Sequence, residues 1–260
     1  MFYPFCQPIS FTDYYSRQIF LQQHNRRFVI AYLLTEDRFK LVIYDRGGVT
    51  EYPWINIHTQ ATTFIQCVML MAGQDLEKLG FDPTIYYNEH GVRCIDLINA
   101  KAPAYKDSES PSPTGQPLEF GTITFENVRP LYHSRSIRGP GEMGWAGRRQ
   151  GIPNALEQLI VDRWVHKDRE EEIKVDEKIE AAKVEGVVHI DYYQSRNEQI
   201  TTNKARFGNR AIVLQTNAEE PHDMIFTRVA TALYPPITDF TSPTELLEVI
   251  RDAVKGEYKP

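Results

Sequence analysis

Gly139-Pro140-Gly141-Glu142-Met143-Gly144, with Leu159-Ile160-Val161 downstream of it, is the stretch on which the fold turns. Glycine lacks a Cβ, so a loop of the GxGxxG type lets backbone N–H groups close on an anion such as a phosphate. In a dinucleotide-binding fold that loop follows a strand and opens a helix. Residues 145–153 do not read as a helix, because Gly147, Gly151 and Pro153 all break one. The next regular run, 159–161, is strand-like, so the setting is strand, glycine turn, strand. No lysine stands between the loop and Val161. A plain hairpin turn in a glycine-rich stretch gives the same local pattern, so the order of the surrounding elements has to decide.

Upstream of the loop, residues 121–128 and 131–137 read as two strands. Downstream, a strand over 159–165 gives way to a charged segment, 167–184, that carries Glu170, Glu171 and Glu172 near its start. Acidic residues suit the positive end of a helix. The segment's apolar stripe is narrow, which predicts a solvated helix touching the core by one edge. Strands are expected at 187–193 and 211–215. A helix over 244–254 opens with Ser242 as N-cap, Pro243 at the first helical position and Glu245 three residues after the cap. Leu246, Leu247, Ile250 and Val254 fall on one side of it as a core face.

The first hundred residues read differently. Strands at 27–34 and 39–44, a turn at Asp45-Arg46-Gly47-Gly48 and a short strand over 49–52 make an antiparallel meander. Apolar residues at three- and four-residue spacing predict a helix over 59–71. A short helix at 76–79, capped by Asp75 and ended by Gly80, and a hairpin of 84–87 with 92–97 follow. Residues 99–116 are rich in Ser, Pro and Lys, which predicts a linker or long loop. The expectation is an α+β chain: an antiparallel sheet with helices over 1–98, a connection over 99–117, and a second unit over 118–260.

Composition narrows the function classes. Hydrophobic residues at 42% and charged residues at 25% are those of a globular protein with a core. A formal charge of −6 argues against nucleic acid as partner. No apolar run is long enough for a membrane span, and the first ten residues lack the pattern of a secretory signal. Cys6, Cys67 and Cys94 are scattered and odd in number, which suits a reducing, intracellular setting and offers neither a disulfide framework nor zinc spacing. The dispersed histidines make no metal motif.

Several blocks in order resemble the fungal-type protein kinases. Arg26-Arg27-Phe28-Val29, Tyr44-Asp45-Arg46-Gly47-Gly48 and Leu79-Gly80-Phe81-Asp82-Pro83-Thr84-Ile85 resemble that family's N-terminal region. Gly139-Pro140-Gly141-Glu142 with Trp145 looks like its glycine-rich loop, and Val161-Asp162-Arg163-Trp164 like its lysine-aspartate-x-tryptophan strand. Asp239-Phe240-Thr241-Ser242-Pro243-Thr244-Glu245-Leu246-Leu247 with Arg251-Asp252-Ala253 resembles the helix before its catalytic loop. The resemblance implies a kinase small lobe running into the first helix of a large lobe, and ATP with magnesium as cofactors. It also implies a phosphate-contacting site at Gly139, Gly141, Gly144 and position 161, with Glu171 or Glu172 as the helix glutamate.

The departures from that pattern are chemical. Val161 stands where the resemblance puts the phosphate-binding lysine, and a valine pairs with neither phosphate nor glutamate. Pro140 and Glu142 replace an arginine and a threonine, and a carboxylate there repels phosphate. The catalytic-loop and metal-binding aspartates would fall after Pro260. Arg148, Arg149 and Arg163 are the candidate substitute cations; Trp145 and Trp164 read as core or interface anchors. Two expectations follow: a truncated or degenerate kinase-family chain, inactive alone, that binds ATP weakly if at all; or a pseudokinase-like scaffold that docks a protein partner, or itself, through Leu246, Leu247, Ile250 and Val254. A restriction-nuclease-type enzyme is the remote third class, lacking paired carboxylates beside a lysine at strand spacing.

Overall fold

A computed structural model describes residues 8–103, 117–166, 172–182, 187–194, 200–207, 223–235 and 239–257. The first sheet is the expected meander: β1 (Phe28–Leu34), β2 (Arg38–Asp45) and β3 (Gly48–Glu51), with β4 (Ile55–Asn56) paired to the start of β2. β1 and β2 run antiparallel, with Phe28 opposite Asp45 and Leu34 opposite Phe39. The Asp45 carboxylate accepts the N–H groups of Gly47 at 2.8 Å and Gly48 at 3.0 Å, which closes the turn.

A helix that the sequence reading did not anticipate, α1 (Pro8–Gln22), lies across this sheet. Its buried positions are Thr12, Ser16 and Phe20, four residues apart and so on one face. Two of the three are small and polar, which leaves no apolar stripe to read. Phe20 packs with Val29, Val42 and Tyr44, and the Thr12 and Tyr44 hydroxyls meet at 2.6 Å. α2 (Ala61–Met71) stands where the periodicity predicts it, yet none of its side chains is fully buried. The helix expected at 76–79 is a turn: Asp75 accepts the Leu79 N–H on its carbonyl at 3.1 Å and the Lys78 N–H on its carboxylate at 3.2 Å. Four residues make too few helical bonds to offset nucleation.

The second sheet has seven strands: β5 (Ile85–Tyr87), β6 (Arg93–Ala102), β7 (Leu118–His133), β8 (Met143–Arg149), β9 (Glu157–His166), β10 (Ile190–Gln194) and β11 (Met224–Ala232). Their spatial order is β10-β11-β9-β8-β7-β6-β5, with every described pairing antiparallel. A further pairing of Tyr193 with Lys101 and Gln194 with Ala100 joins β10 back to β6. Six strands thereby close into a ring around Ile95, Leu97, Phe125, Trp145 and Ile160. Trp145 and Trp164 are both buried, as expected of core anchors.

Three differences from the sequence expectations have local causes. β6 runs through residue 98, where the reading ended its first unit; Asn99, at φ 51°, is a bulge within the strand, and the β6–β7 register shifts between Leu97 and Ala100. The two strands expected at 121–128 and 131–137 are one strand, β7, bent where Asn127 adopts φ 56° and the register shifts on either side of Pro130. β11 had no counterpart in the reading, because its inward positions include Arg228; the strand expected at 211–215 lies outside the described residues. Among the helices, α3 (Glu172–Ala181) falls inside the expected 167–184, and α4 (Thr202–Phe207) is new. α5 (Pro243–Glu257) starts as expected, with the Ser242 hydroxyl accepting the Glu245 N–H at 3.2 Å.

One buried ion cluster joins the two sheets. Arg228, 1% exposed, donates to both oxygens of Asp162 at 2.5 and 2.9 Å and to Asp82 at 3.2 Å. It also donates to the Thr84 hydroxyl at 2.7 Å and the Asp96 carbonyl at 2.9 Å, so all five of its N–H groups are used. Asp162 accepts the Trp145 indole N–H at 3.0 Å, and Asp82 accepts from Arg27, just before β1, at 2.8 Å. A buried guanidinium with every donor satisfied is the arrangement that makes burying charge tolerable.

Candidate functional site

β9 alternates sharply. Ile160 and Asp162 point into the ring, while Leu159, Val161 and Arg163 line a groove on its outer face. α3 forms one wall of that groove with Val175, Asp176 and Ile179, one face by helical spacing. β11 and the residues just after it supply Val229, Leu233 and Tyr234. The groove encloses about 570 Å³ and adjoins a larger one, about 1160 Å³, that shares Leu159, Leu233 and Tyr234 and extends past Tyr132 and Leu156.

The glycine loop meets this groove through Arg163, which its Glu142 pairs with. Gly139 and Gly141 have φ of 108° and 52°, a region that favours glycine. The loop is tied to its surroundings through its backbone: the Gly139 N–H donates to the Arg46 carbonyl at 3.0 Å, and the Trp164 N–H donates to the Pro140 carbonyl at 2.7 Å. Gly144 lies in β8 opposite Tyr132, and a Cβ there would stand 2.2 Å from the Tyr132 ring. The tyrosine therefore lies flat over this glycine. Its hydroxyl donates to Glu142 at 3.0 Å, and the other Glu142 oxygen pairs with Arg163 at 3.0 Å. Burial, then the adjacent Glu142 carboxylate, pushes the Tyr132 phenol up to about 12.

The predicted site residues thus divide. Gly139, Gly141 and Gly144 belong to one loop and strand start, and Val161 sits opposite Gly144 across the β8–β9 pair. Glu171 lies outside the described residues, as does the side chain of Glu172. The described acidic residue of α3 that lines the groove is Asp176, which the sequence reading missed. Its carboxylate is buried, accepts the Ile190 N–H at 3.0 Å and lies 3.1 Å from the His189 ring nitrogen. Its spacing with Val175 and Ile179 was the available signal. Of the three candidate cations, Arg148 is exposed, and Arg149 donates to the Tyr192 hydroxyl at 2.6 Å while stacking near Phe120. Arg163 alone shares the face of Val161, where Glu142 holds it.

Among the described residues, no group of three or more His, Cys, Asp or Glu side chains is placed to hold a metal ion. Nor is any helix among them long and apolar enough to cross a membrane. No curated protein matches the chain. A model of the fungal protein kinase family matches residues 12–259, nearly the whole length. The chain belongs to the fungal protein kinase family.

Proposed function

We propose that β7 to β11 with α3 form a protein-kinase-like small lobe that keeps the base side of a nucleotide cleft and has lost its phosphate side. The strand order β10-β11-β9-β8-β7, with a helix between the third and fourth strands in sequence, supports the first half of this reading. Leu159, Leu233 and Tyr234 offer a flat, largely apolar slot of the kind that takes a purine ring. The phosphates fit poorly. Val161 carries no charge, the Gly139 N–H is already bonded, and Tyr132 covers Gly144.

The carrying observation is the Glu142–Arg163 pair at 3.0 Å. The cation nearest the missing lysine's face is neutralised by a carboxylate on the glycine loop itself. Phosphoryl transfer requires cations and metal ions that offset charge on the migrating group. This chain is accordingly a kinase-family member that does not transfer phosphate by itself, although the family's activity is ATP-dependent phosphorylation of protein hydroxyls. The purified chain incubated with labelled ATP and magnesium should show no transfer above a buffer blank. Adenosine should raise its melting temperature at least as much as ATP–magnesium does. Robust autophosphorylation, or a much larger response to ATP, would overturn the reading.

The exposed apolar face of α5 favours a second reading, a docking scaffold. Leu246 is half-buried, but Leu247 is 66% and Ile250 44% exposed, and the Val254 side chain lies outside the described residues. Light scattering on the purified chain tests self-association directly; a monomer at every concentration would leave a different protein as the required partner.

A further inference from the structure

The seam between the first sheet and the ring contains a cavity of about 30 Å³, lined from β9 by Asp162 and Trp164, where the nucleotide-like groove takes Leu159, Val161 and Arg163. Arg46, in the β2–β3 turn, reaches into this seam. It is 8% exposed and lies over the Phe20 ring at 4.5 Å. Its Nη1 donates to the Ser136 and Ile137 carbonyls at 2.5 and 3.2 Å, while its Nε, also buried, has no partner. No described carboxylate forms an ion pair with it. Arg27 lines the same cavity at 5% exposure, and its Nε is likewise buried without a partner.

The acidic residues on the cavity wall are committed elsewhere. Asp82 and Asp162 hold Arg228, Asp82 also takes Arg27 through Nη2, and Glu142 holds Arg163. Asp45 favours the Arg46 charge; its Oδ1 accepts both the Gly47 and Gly48 amides, and its Oδ2 is buried beside them. What the space lacks is hydrogen-bond acceptors at the two Nε–H groups. Burial pushes the Arg46 and Arg26 guanidinia down to about 10. Burial, then the neighbouring His133 and Arg93, lowers His24 as well.

We propose that this cavity binds one small inorganic anion of chloride size, held between Arg27 and Arg46. The volume admits such an ion, since a single water needs about 10–15 Å³, and it excludes a nucleoside or a triphosphate. Two buried N–H groups without acceptors supply the donors, and an anion returns the acceptors that their burial removed. The ion would couple the β2–β3 turn to the glycine loop, because Arg46 also donates to the Ser136 and Ile137 carbonyls just before that loop and accepts its Gly139 N–H.

The test uses the whole chain. Chloride NMR line width should rise in excess of bulk on adding the protein, and bromide should reverse it. At fixed ionic strength, replacing methanesulfonate by chloride should raise the melting temperature by about 3 °C at ten times the dissociation constant. Arg46→Gln should abolish both effects. The wild-type line width alone decides the matter if that variant fails to fold. Absence of excess broadening would mean that water fills the cavity and would overturn the proposal, as would an undiminished chloride response in Arg46→Gln.

Discussion

Asp82 receives Arg228 and Arg27 together, and its acid–base behaviour follows from that crowding. Burial alone would raise its carboxyl; the two guanidinium charges and the Thr84 hydroxyl and N–H override burial and hold it below the ordinary aspartate range. A depressed carboxyl contributes stability that is present above its unfolded value, about 3.9, and is lost as pH falls through the folded one. Urea midpoints of the wild type should therefore fall as pH drops below about 4, with a shallower fall in Asp82→Asn. Removing the central cation is a harsher change. Arg228→Met should lower the unfolding free energy at neutral pH by about 3–5 kcal/mol, because two buried carboxylates lose their partner. A loss under about 1 kcal/mol in the urea series would mean that water reaches the cluster. On the outer face, Glu142→Gln releases Arg163 from its carboxylate. If charge neutralisation there is what excludes phosphate, thermal titration of this variant should show an ATP response larger than the wild type's.

Between β7 and β8, the Tyr132 ring needs the bare face of Gly144, and the two positions should behave as one unit. Gly144→Ala puts a methyl 2.2 Å from the ring edge. Tyr132 is 42% exposed, so the ring can swing outward instead of forcing the strands apart. Gly144→Ala should then cost little beyond the loss of that packing, and in a Tyr132→Ala background it should cost almost nothing. A double-mutant cycle should give a coupling on the order of 1 kcal/mol, and strict additivity would mean that the ring does not rest on the glycine. At this scale the sequence was legible wherever one period governed a run, as in the β1–β2 meander, α2, α3 and the capped start of α5. It misled where a structural irregularity imitates a loop: Asn99 and Asn127 are polar turn formers that the sheet uses as bulges inside β6 and β7. It was silent where the buried face is polar, as on α1 with Thr12 and Ser16, and on β11 with Arg228. The glycine loop and Val161 could be found from their types, but the Tyr132–Glu142–Arg163 bridge joins residues whose meeting depends on strand register.

Closure of the ring rests on unequal seams. β9 and β11 pair in unbroken register from Gln158 with Ala232 to His166 with Met224, whereas among the described residues β10 meets β6 through Tyr193 with Lys101 and Gln194 with Ala100 alone. The β10–β11 pairing is itself irregular, shifting register between Ile190 and Tyr192. Local opening follows the weakest set of main-chain bonds and the least buried side chains. β10's residues after Ile190 are only half-buried, while Ile160, Val161, Asp162, Trp164 and Val165 of β9 are all buried. The ring should therefore open first along β10, exposing the α3 side of the groove while β7, β8, β9 and β11 remain paired. Hydrogen exchange followed by mass spectrometry should show peptides spanning 190–194 exchanging well before those spanning 158–165. A ligand seated against Leu159 and Tyr234 should slow β10 more than β8, because its groove is lined by Ile190 of β10 and by Asp176, which accepts the Ile190 N–H. Equal protection of the two strands would mean that the two-residue closure is as firm as the full ladder, and that the groove is a rigid slot with no opening edge.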